Sequence, residues 1–324
     1  MNRIRRVLTM ISQVLLSCLI SCVASGCSFS LKQEQENKPY VLSMNRMIHD
    51  CVSRIIGDKL HAIVLIDGSL DPHAYEMVKG DEDKMALSSL IFCNGLGLEH
   101  SLSLRKHLEG NPKVVNISAL LVERGVFTPL EEDGIYDPHI WMDLGLWIEG
   151  VQEISRKLVM HFPEWEKEII ENTHKLVQEM QELDVWAEKC LQSIPEDRRY
   201  LVSGHNAFGY FTKRYLATPE EGISGAWKER CISPEGLSPE AQISIRDIML
   251  VVDYIHKHGV EVVFPEDTLN QDALKKIVSC LGKGHTVRLA KGALYSDNVD
   301  TDYFTTFKHN VSLITKELGG IIFE

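Results

Sequence analysis

The tripeptide Asp-Pro-His occurs twice in this 324-residue chain, as Asp71-Pro72-His73 and Asp137-Pro138-His139. Proline fixes its own φ and pushes the residue before it toward an extended conformation, so each histidine is presented from a stiff, non-helical loop. Asp-Pro also starts ordinary turns. Two imidazoles delivered from such loops suit a pre-shaped metal site, since neutral imidazole is the commonest transition-metal ligand. A third histidine stands in Ser203-Gly204-His205-Asn206, where Gly204 permits a sharp turn at the carboxyl end of an expected strand. Ligands of open α/β sheets bind at that end. Asp297, in Tyr295-Ser296-Asp297-Asn298, follows another expected strand. Three neutral imidazoles and one carboxylate make a closed site of charge −1 that suits divalent zinc, manganese or iron.

The elements that must carry these residues alternate. Short apolar, β-rich runs predict strands over 40–44, 62–66, 90–93 and 113–117, with helices over 45–56, 81–88 and 96–108 between them. This is the rhythm of a mostly parallel sheet. A further helix is predicted over 144–161. Ile169, Thr173, Leu176, Met180, Leu183, Ala187 and Leu191 then recur at steps of three and four, which predicts one long helix over 163–193. At ~1.5 Å per residue it would span on the order of 40 Å. Strand patterns restart after it at 200–203, 229–232, 260–264 and 286–290, with helices expected over 239–258, 267–280 and 301–317. The expected fold class is therefore α/β, with two lobes, each built on a mostly parallel sheet, linked by one long rigid helix. The expected division is 40–162 for the first lobe, 163–194 for the connecting helix and 195–324 for the second lobe.

Ahead of the lobes, Met1–Arg6 is basic and Val7–Ile20 largely apolar, with small residues and cysteines following. This is the pattern of a secretory signal over 1–27, too short to span a bilayer comfortably. Cys27, after Ala24-Ser25-Gly26, is the preferred site of lipid attachment and Cys22 the alternative; Cys18 also ends a candidate string. Residues 28–39 are rich in Gln, Glu, Lys and Asn and read as a polar tether. The formal charge is −12, and removing Arg3, Arg5 and Arg6 with the leader takes it to about −15, which argues against nucleic acid as a partner. Five cysteines lie beyond the tether, without zinc-finger spacing; Cys231 and Cys280 either pair or remain free thiols.

Taken together, the motifs resemble those of the solute-binding proteins of bacterial manganese, zinc and iron ABC transporters. Asp71-Pro72-His73-Ala74-Tyr75-Glu76 resembles the family's first ligand motif, Asn94-Gly95-Leu96-Gly97-Leu98-Glu99 its glycine turn, and Asp137-Pro138-His139-Ile140-Trp141-Met142-Asp143 its second ligand motif. Gly204-His205-Asn206-Ala207-Phe208-Gly209-Tyr210-Phe211 is similar to the third, the stretch from Gly236-Leu237-Ser238-Pro239-Glu240 to Phe264-Pro265-Glu266-Asp267 to the lead into the last half-sheet, and Ser296-Asp297 to the final acidic position. The resemblance covers the chain from about Tyr40 onward. It implies a single divalent metal held by His73, His139, His205 and Asp297 in the cleft between two lobes. It also implies capture in the periplasm, delivery to an ABC permease with its cytoplasmic ATPase, a monomer and no enzymatic step. Zinc-specialised members often carry a His-rich loop before the second ligand, whereas 120–136 here has acids and no histidine. Asp300 and Asp302 compete with Asp297 for the acidic position, although acids at a helix start have a structural role of their own. Binding is expected to weaken below about pH 6 as imidazoles take up protons.

Two rival readings remain. Three histidines with an open position would make an extracytoplasmic zinc hydrolase, with Glu76, Asp143 or Glu266 as general base. A surface adhesin with a purely structural metal is the other. Gly95-Leu96-Gly97 lacks a third glycine for phosphate binding and reads as a tight turn. His256 and His258 read as the cationic end of a helix, and His100 and His107 as one helix face at the surface.

Overall fold

The computed structural model describes residues 38–68, 70–237, 243–267, 269–281, 286–297 and 301–323. The leader, Cys18, Cys22, Cys27, nearly all of the tether, Ser238-Pro239-Glu240 and Asp300 lie outside them. Within them the chain forms two α/β lobes on either side of a long helix. In the first lobe β1 (Tyr40–Ser43), β2 (His61–Val64), β3 (Ser88–Cys93) and β4 (Val114–Asn116) form one sheet in the order β2-β1-β3-β4. All its pairings are parallel. Strands buried on both faces read as apolar runs rather than as alternation, which is why Val41, Leu42, Leu90, Ile91 and Phe92 are all core residues.

The Gly95-Leu96-Gly97 turn closes β3. All three residues have positive φ, at 84°, 54° and 86°, so the predicted helix over 96–108 cannot start there. It runs only over Leu102–Leu108, capped by the Ser101 hydroxyl. His100 therefore precedes that helix instead of sharing a face with His107. A Cβ on Gly95 would lie 2.2 Å from Asn116 Oδ1, and Asn116 is itself the N-cap of the next helix. Gly95→Ala combines a strained φ with overpacking against a cap, and should lower stability by at least about 2 kcal/mol. Thermal unfolding of the variant beside the parent chain measures it.

Between the lobes runs the helix Glu166–Gln192, preceded by a 3-10 turn at Pro163–Trp165. Its buried face is Ile169, Thr173, Leu176, Met180, Leu183, Ala187 and Leu191. Near its start it is tied to the first lobe by Asn172 Nδ2 to the Ile55 carbonyl (3.0 Å). Near its end Trp186 Nε1 donates to the Phe323 carbonyl (2.8 Å). One core cluster includes helix residues from Ile169 to Leu191 together with Val41 of the first lobe and Phe264 of the second.

The second lobe has shorter strands than its sequence predicts. β7 (Leu201–Val202) pairs with β8 (Cys231–Ile232), and β9 (Val262–Val263) with β10 (Arg288–Leu289), both parallel. The Phe264 amide donates to the Val202 carbonyl at 2.7 Å and joins the two pairs. Gly204, Pro234 and Pro265 follow β7, β8 and β9 closely, and proline has no amide to continue a ladder. The strand expected over 229–232 loses its start to a 3-10 helix, Ala226–Arg230, entered through left-handed Gly225. The helices begin later than expected, at Ile245 and Asp272. Ser244 forms a capping box for the first, and the Asn270 side chain accepts the Asp272 amide at 2.9 Å. The last helix, Tyr303–Glu317, begins at its N-cap Asp302, which is thereby accounted for as a cap. An unpredicted hairpin, β5 (Glu131–Glu132) with β6 (Ile135–Tyr136), turns on Asp133-Gly134, both at positive φ, a combination that favours a two-residue hairpin turn. Cys51, Cys93, Cys190, Cys231 and Cys280 are all free thiols. His258 ends its helix before left-handed Gly259 and packs against Tyr200 and Tyr254. Among the described residues no helix is long and apolar enough to cross a membrane.

Candidate metal centre

The two Asp-Pro-His tripeptides share one local hydrogen bond. In each, the aspartate Oδ1 accepts the amide of the histidine two residues on, Asp71 to His73 at 2.8 Å and Asp137 to His139 at 2.9 Å. A short side-chain acceptor that caps its own turn is what Asp offers in this position. The second copy goes further, because Asp137 Oδ1 also lies 2.7 Å from His139 Nδ1. From the end of β3, Asn94 Nδ2 donates to the Pro138 carbonyl at 2.9 Å, so the sheet fixes that turn. Buried Glu99 accepts the amides of Asn94 and Gly95, and burial raises its pKa.

His205 comes from the second lobe, three residues past β7. Its amide donates to Glu266 Oε1 at 2.8 Å, and its Nδ1 stands 2.7 Å from Glu266 Oε2. This second contact is close enough for charge pairing, although its alignment is poor for a hydrogen bond. A Cβ on residue 204 would lie 2.9 Å from Glu266 Oε1, so glycine there gives the carboxylate its place. Burial disfavours the His205 imidazolium, but Glu266, followed by Asp297 and Asp71, outweighs it and raises the pKa to about 9.

The structure brings all four sequence-predicted residues together. One candidate donor atom from each of His73, His139, His205 and Asp297 lies within 4.8 Å of the others. His139 Nε2 is 3.3 Å from His73 Nε2 and 3.4 Å from His205 Nε2. Asp297 Oδ1 is 3.6 Å from both His73 and His139 Nε2, and its Oδ2 is 3.5 Å from His205 Nε2. A tetrahedral ion with bonds of ~2.1 Å has donor–donor edges of roughly 3.4 Å. The five spacings given fit that figure, while the donor set as a whole spans up to 4.8 Å. The four residues are at most 3 % exposed. Asp297 Oδ1 is buried without a hydrogen-bond partner, a costly state for a carboxylate unless a cation faces it. Burial would raise the Asp297 pKa, yet the His73 contact and the charges of His205, His73 and His139 hold it below the ordinary carboxylate range.

The other named acids fall elsewhere. Glu76 is exposed and accepts the Ser103 hydroxyl. Asp143 caps the helix Leu144–His161. Glu266 is adjacent but engaged by His205. His100 Nδ1 faces the Gly97 carbonyl at 3.2 Å. Sequence reasoning missed that Asp137 and Glu266 orient two of the imidazoles. The first was legible in its own tripeptide. The second stands 61 residues from its histidine, with no local signal beyond the Pro265-Glu266 step after a strand.

The family described as zinc-uptake complex component A, periplasmic (ZnuA) matches residues 41–317. The metal-binding protein YtgA of Chlamydia pneumoniae is 67 % identical over 308 residues, covering 95 % of this chain and 94 % of that one. The manganese-binding lipoprotein MntA of Bacillus subtilis strain 168 is 28 % identical, covering 91 % of this chain and 94 % of its own. Among solved structures, Fe(III)-bound YtgA from Chlamydia trachomatis superposes with a TM-score of 0.87 at 62 % identity, covering 89 % of this chain and all of that one.

Proposed function

The chain belongs to the ZnuA family of periplasmic metal-uptake components, and from that premise we propose that His73, His139, His205 and Asp297 are the four protein ligands of one metal cargo. The protein is an extracytoplasmic solute-binding protein that captures manganese, zinc or iron for import by an ABC permease. The observation that carries the ligand assignment is the buried, unpartnered Asp297 Oδ1 facing two imidazole nitrogens. Ligands come from both lobes, so the cation itself links them. A small displacement of one donor then suffices for release, because affinity depends on ligand count and geometry.

The remaining parts of the reading are of one piece with this. Residues 1–27 act as a lipoprotein signal, with Cys27, or Cys22, as the acylated residue, and 28–39 as a tether. Residues 40–162 and 195–324 are the two lobes and 163–194 the connector. A cytoplasmic ATPase drives the permease, the binding protein is a monomer, and no bond is made or broken. Hydrolysis finds no support in the acids: Glu76 and Asp143 stand away from the cluster, and Glu266 is committed to His205. Metal analysis of protein from its native compartment, followed by competition titration among Mn²⁺, Zn²⁺ and Fe²⁺, tests the function. Recovery of no transition metal, with no competition, would overturn it.

Carboxylates that orient ligand imidazoles usually matter nearly as much as the ligands. Asp137→Asn keeps the amide acceptor of the turn but loses the charge at His139 Nδ1. It should weaken metal binding roughly 10–100-fold without unfolding the chain, as read by chelator competition and circular dichroism.

A further inference from the structure

Asp297 is held differently from the histidines. His139 and His205 each have a dedicated carboxylate, Asp137 and Glu266, within their own lobe or strand neighbourhood. Among the described residues outside the cluster, the carboxylate of Asp297 is met by the Ser296 hydroxyl at 3.2 Å. Its position therefore depends on how its backbone is pinned. Among the described residues, the side chains of Asn310 and Trp141 do this. Within the second lobe, Asn310 accepts the Tyr295 amide at 2.9 Å and donates to the Tyr295 carbonyl at 2.7 Å. From the first lobe, Trp141 Nε1 donates to the Ser296 carbonyl at 2.9 Å, across 155 residues of sequence.

We infer that Trp141 is a positioning residue: its indole N–H latches the Asp297 segment to the lobe that carries His73 and His139, and so sets how long the metal stays bound. This rests on the ligand reading given above. Trp141 and Ser296 are each 2 % exposed. The indole is a donor with no second function to perform, and breaking a bond between buried groups costs their desolvation unless a new partner is found. The same side chain packs its ring against the His139 ring, centroids 5.3 Å apart and planes at 67°. Tyr303 braces it, giving its hydroxyl to the Trp141 carbonyl at 2.6 Å, while the Tyr303 amide is held by Asp50 at 2.7 Å. One residue thus touches a first-lobe imidazole and the backbone next to the second-lobe carboxylate. The Asn310 contacts travel with Asp297 when the lobes part. The Trp141 contact cannot, nor can the bonds of Tyr303 to Trp141 and Asp50 that also cross between the lobes, so the Trp141 bond to Ser296 must break for the carboxylate to leave the imidazoles.

The consequence is kinetic. Capture by separated lobes does not need the latch, whereas release does. Trp141→Phe keeps an aromatic ring against His139 and removes only the N–H. With Zn²⁺ as the probe, stopped-flow mixing gives association and a chelator chase gives dissociation. Trp141→Phe should speed release roughly five- to tenfold and leave association within about a factor of two. Tyr303→Phe should speed release by less. The double variant should fall short of the product of the two effects, because both act on one path. Release at the parent rate in Trp141→Phe overturns the inference, as does slower capture with unchanged release. So does a fall in thermal stability alone, equal with and without zinc. Should Trp141→Phe not fold, parent-rate release from Tyr303→Phe overturns it. Asp297→Asn separates the two readings: unchanged zinc affinity there removes the ligand assignment and the latch with it. Lost affinity there with parent-rate release in both aromatic variants removes the latch alone.

Discussion

His139→Ala is expected to lower metal affinity by about two to three orders of magnitude and leave the protein folded. Four-ligand zinc sites bind with apparent energies of about 10–16 kcal/mol, so one donor of four represents roughly 2.5–4 kcal/mol. His139 stands at the middle of the cluster, with its Nε2 within 3.6 Å of a donor atom of each of the other three residues. Asp297 reaches the other three as closely only by using both of its oxygens, whereas the His139 imidazole is fully buried and its far nitrogen is given to Asp137. Folding, by contrast, does not hang on the metal. The lobes and the connector share a hydrophobic cluster that includes Val41, Ile169, Leu191 and Phe264. Removing the ring relieves crowding among donors and vacates a small volume beside Trp141. Titration against a competing chelator, with circular dichroism and a thermal scan of the metal-free variant, reads both halves. Parent-like affinity would remove the central ligand, and an unfolded metal-free chain would favour a metal-stabilised adhesin over a carrier.

What could be read from the sequence was whatever is decided over a few residues or by periodicity. Each Asp-Pro-His is a closed local device, since the aspartate caps the turn that presents its own histidine. The connector declared itself because one face of it must be apolar over its whole length, from Ile169 to Leu191. Strands of the first lobe were legible because they are buried on both sides. Element edges were not, where a distant choice decided them. Leu96 belongs to an apolar run that suits a helix, but it adopts positive φ within a turn whose Gly95 passes close to Asn116. Second-lobe strands are cut short by Gly204, Pro234 and Pro265. The acidic member of the cluster was suggested by its place after an expected strand and by the family resemblance, with Asp300 and Asp302 left as competitors nearby in sequence. The structure gives Asp302 to a helix N-terminus and Asp297 to the imidazoles. Most opaque were the contacts that orient the donors from afar, Glu266 on His205 and Trp141 on Ser296, because tertiary packing alone creates them.

Glu266 carries the second large effect, which concerns protons. Burial opposes charge on His205, but Glu266 raises its pKa to about 9. In the metal-free protein at neutral pH this imidazole therefore keeps both protons, one of them on the Nε2 that faces the cluster. A metal needs that lone pair, so binding must expel the proton. The sign follows directly. Between pH 7 and about 9, metal affinity should rise with pH by close to tenfold per unit, with about one proton released per ion at pH 7. The sequence alone placed the onset of weakening near pH 6, on the ordinary imidazole value, and the buried carboxylate moves it upward. Stability of the empty protein runs the other way. A raised histidine pKa contributes stabilisation that is complete below the unfolded value of about 6.5 and is lost as pH passes the folded value. The thermal shift produced by metal should accordingly widen from pH 6.5 to pH 9. Titration calorimetry in buffers of different ionisation heat counts the protons, and thermal scans across this range follow the shift. Glu266→Gln should flatten both trends over the same interval while lowering affinity, because the neutral amide still occupies the place beside Gly204 but no longer holds the imidazolium. Binding without proton release at pH 7 in the parent chain would mean that His205 is already neutral and that the carboxylate serves only to orient its ring.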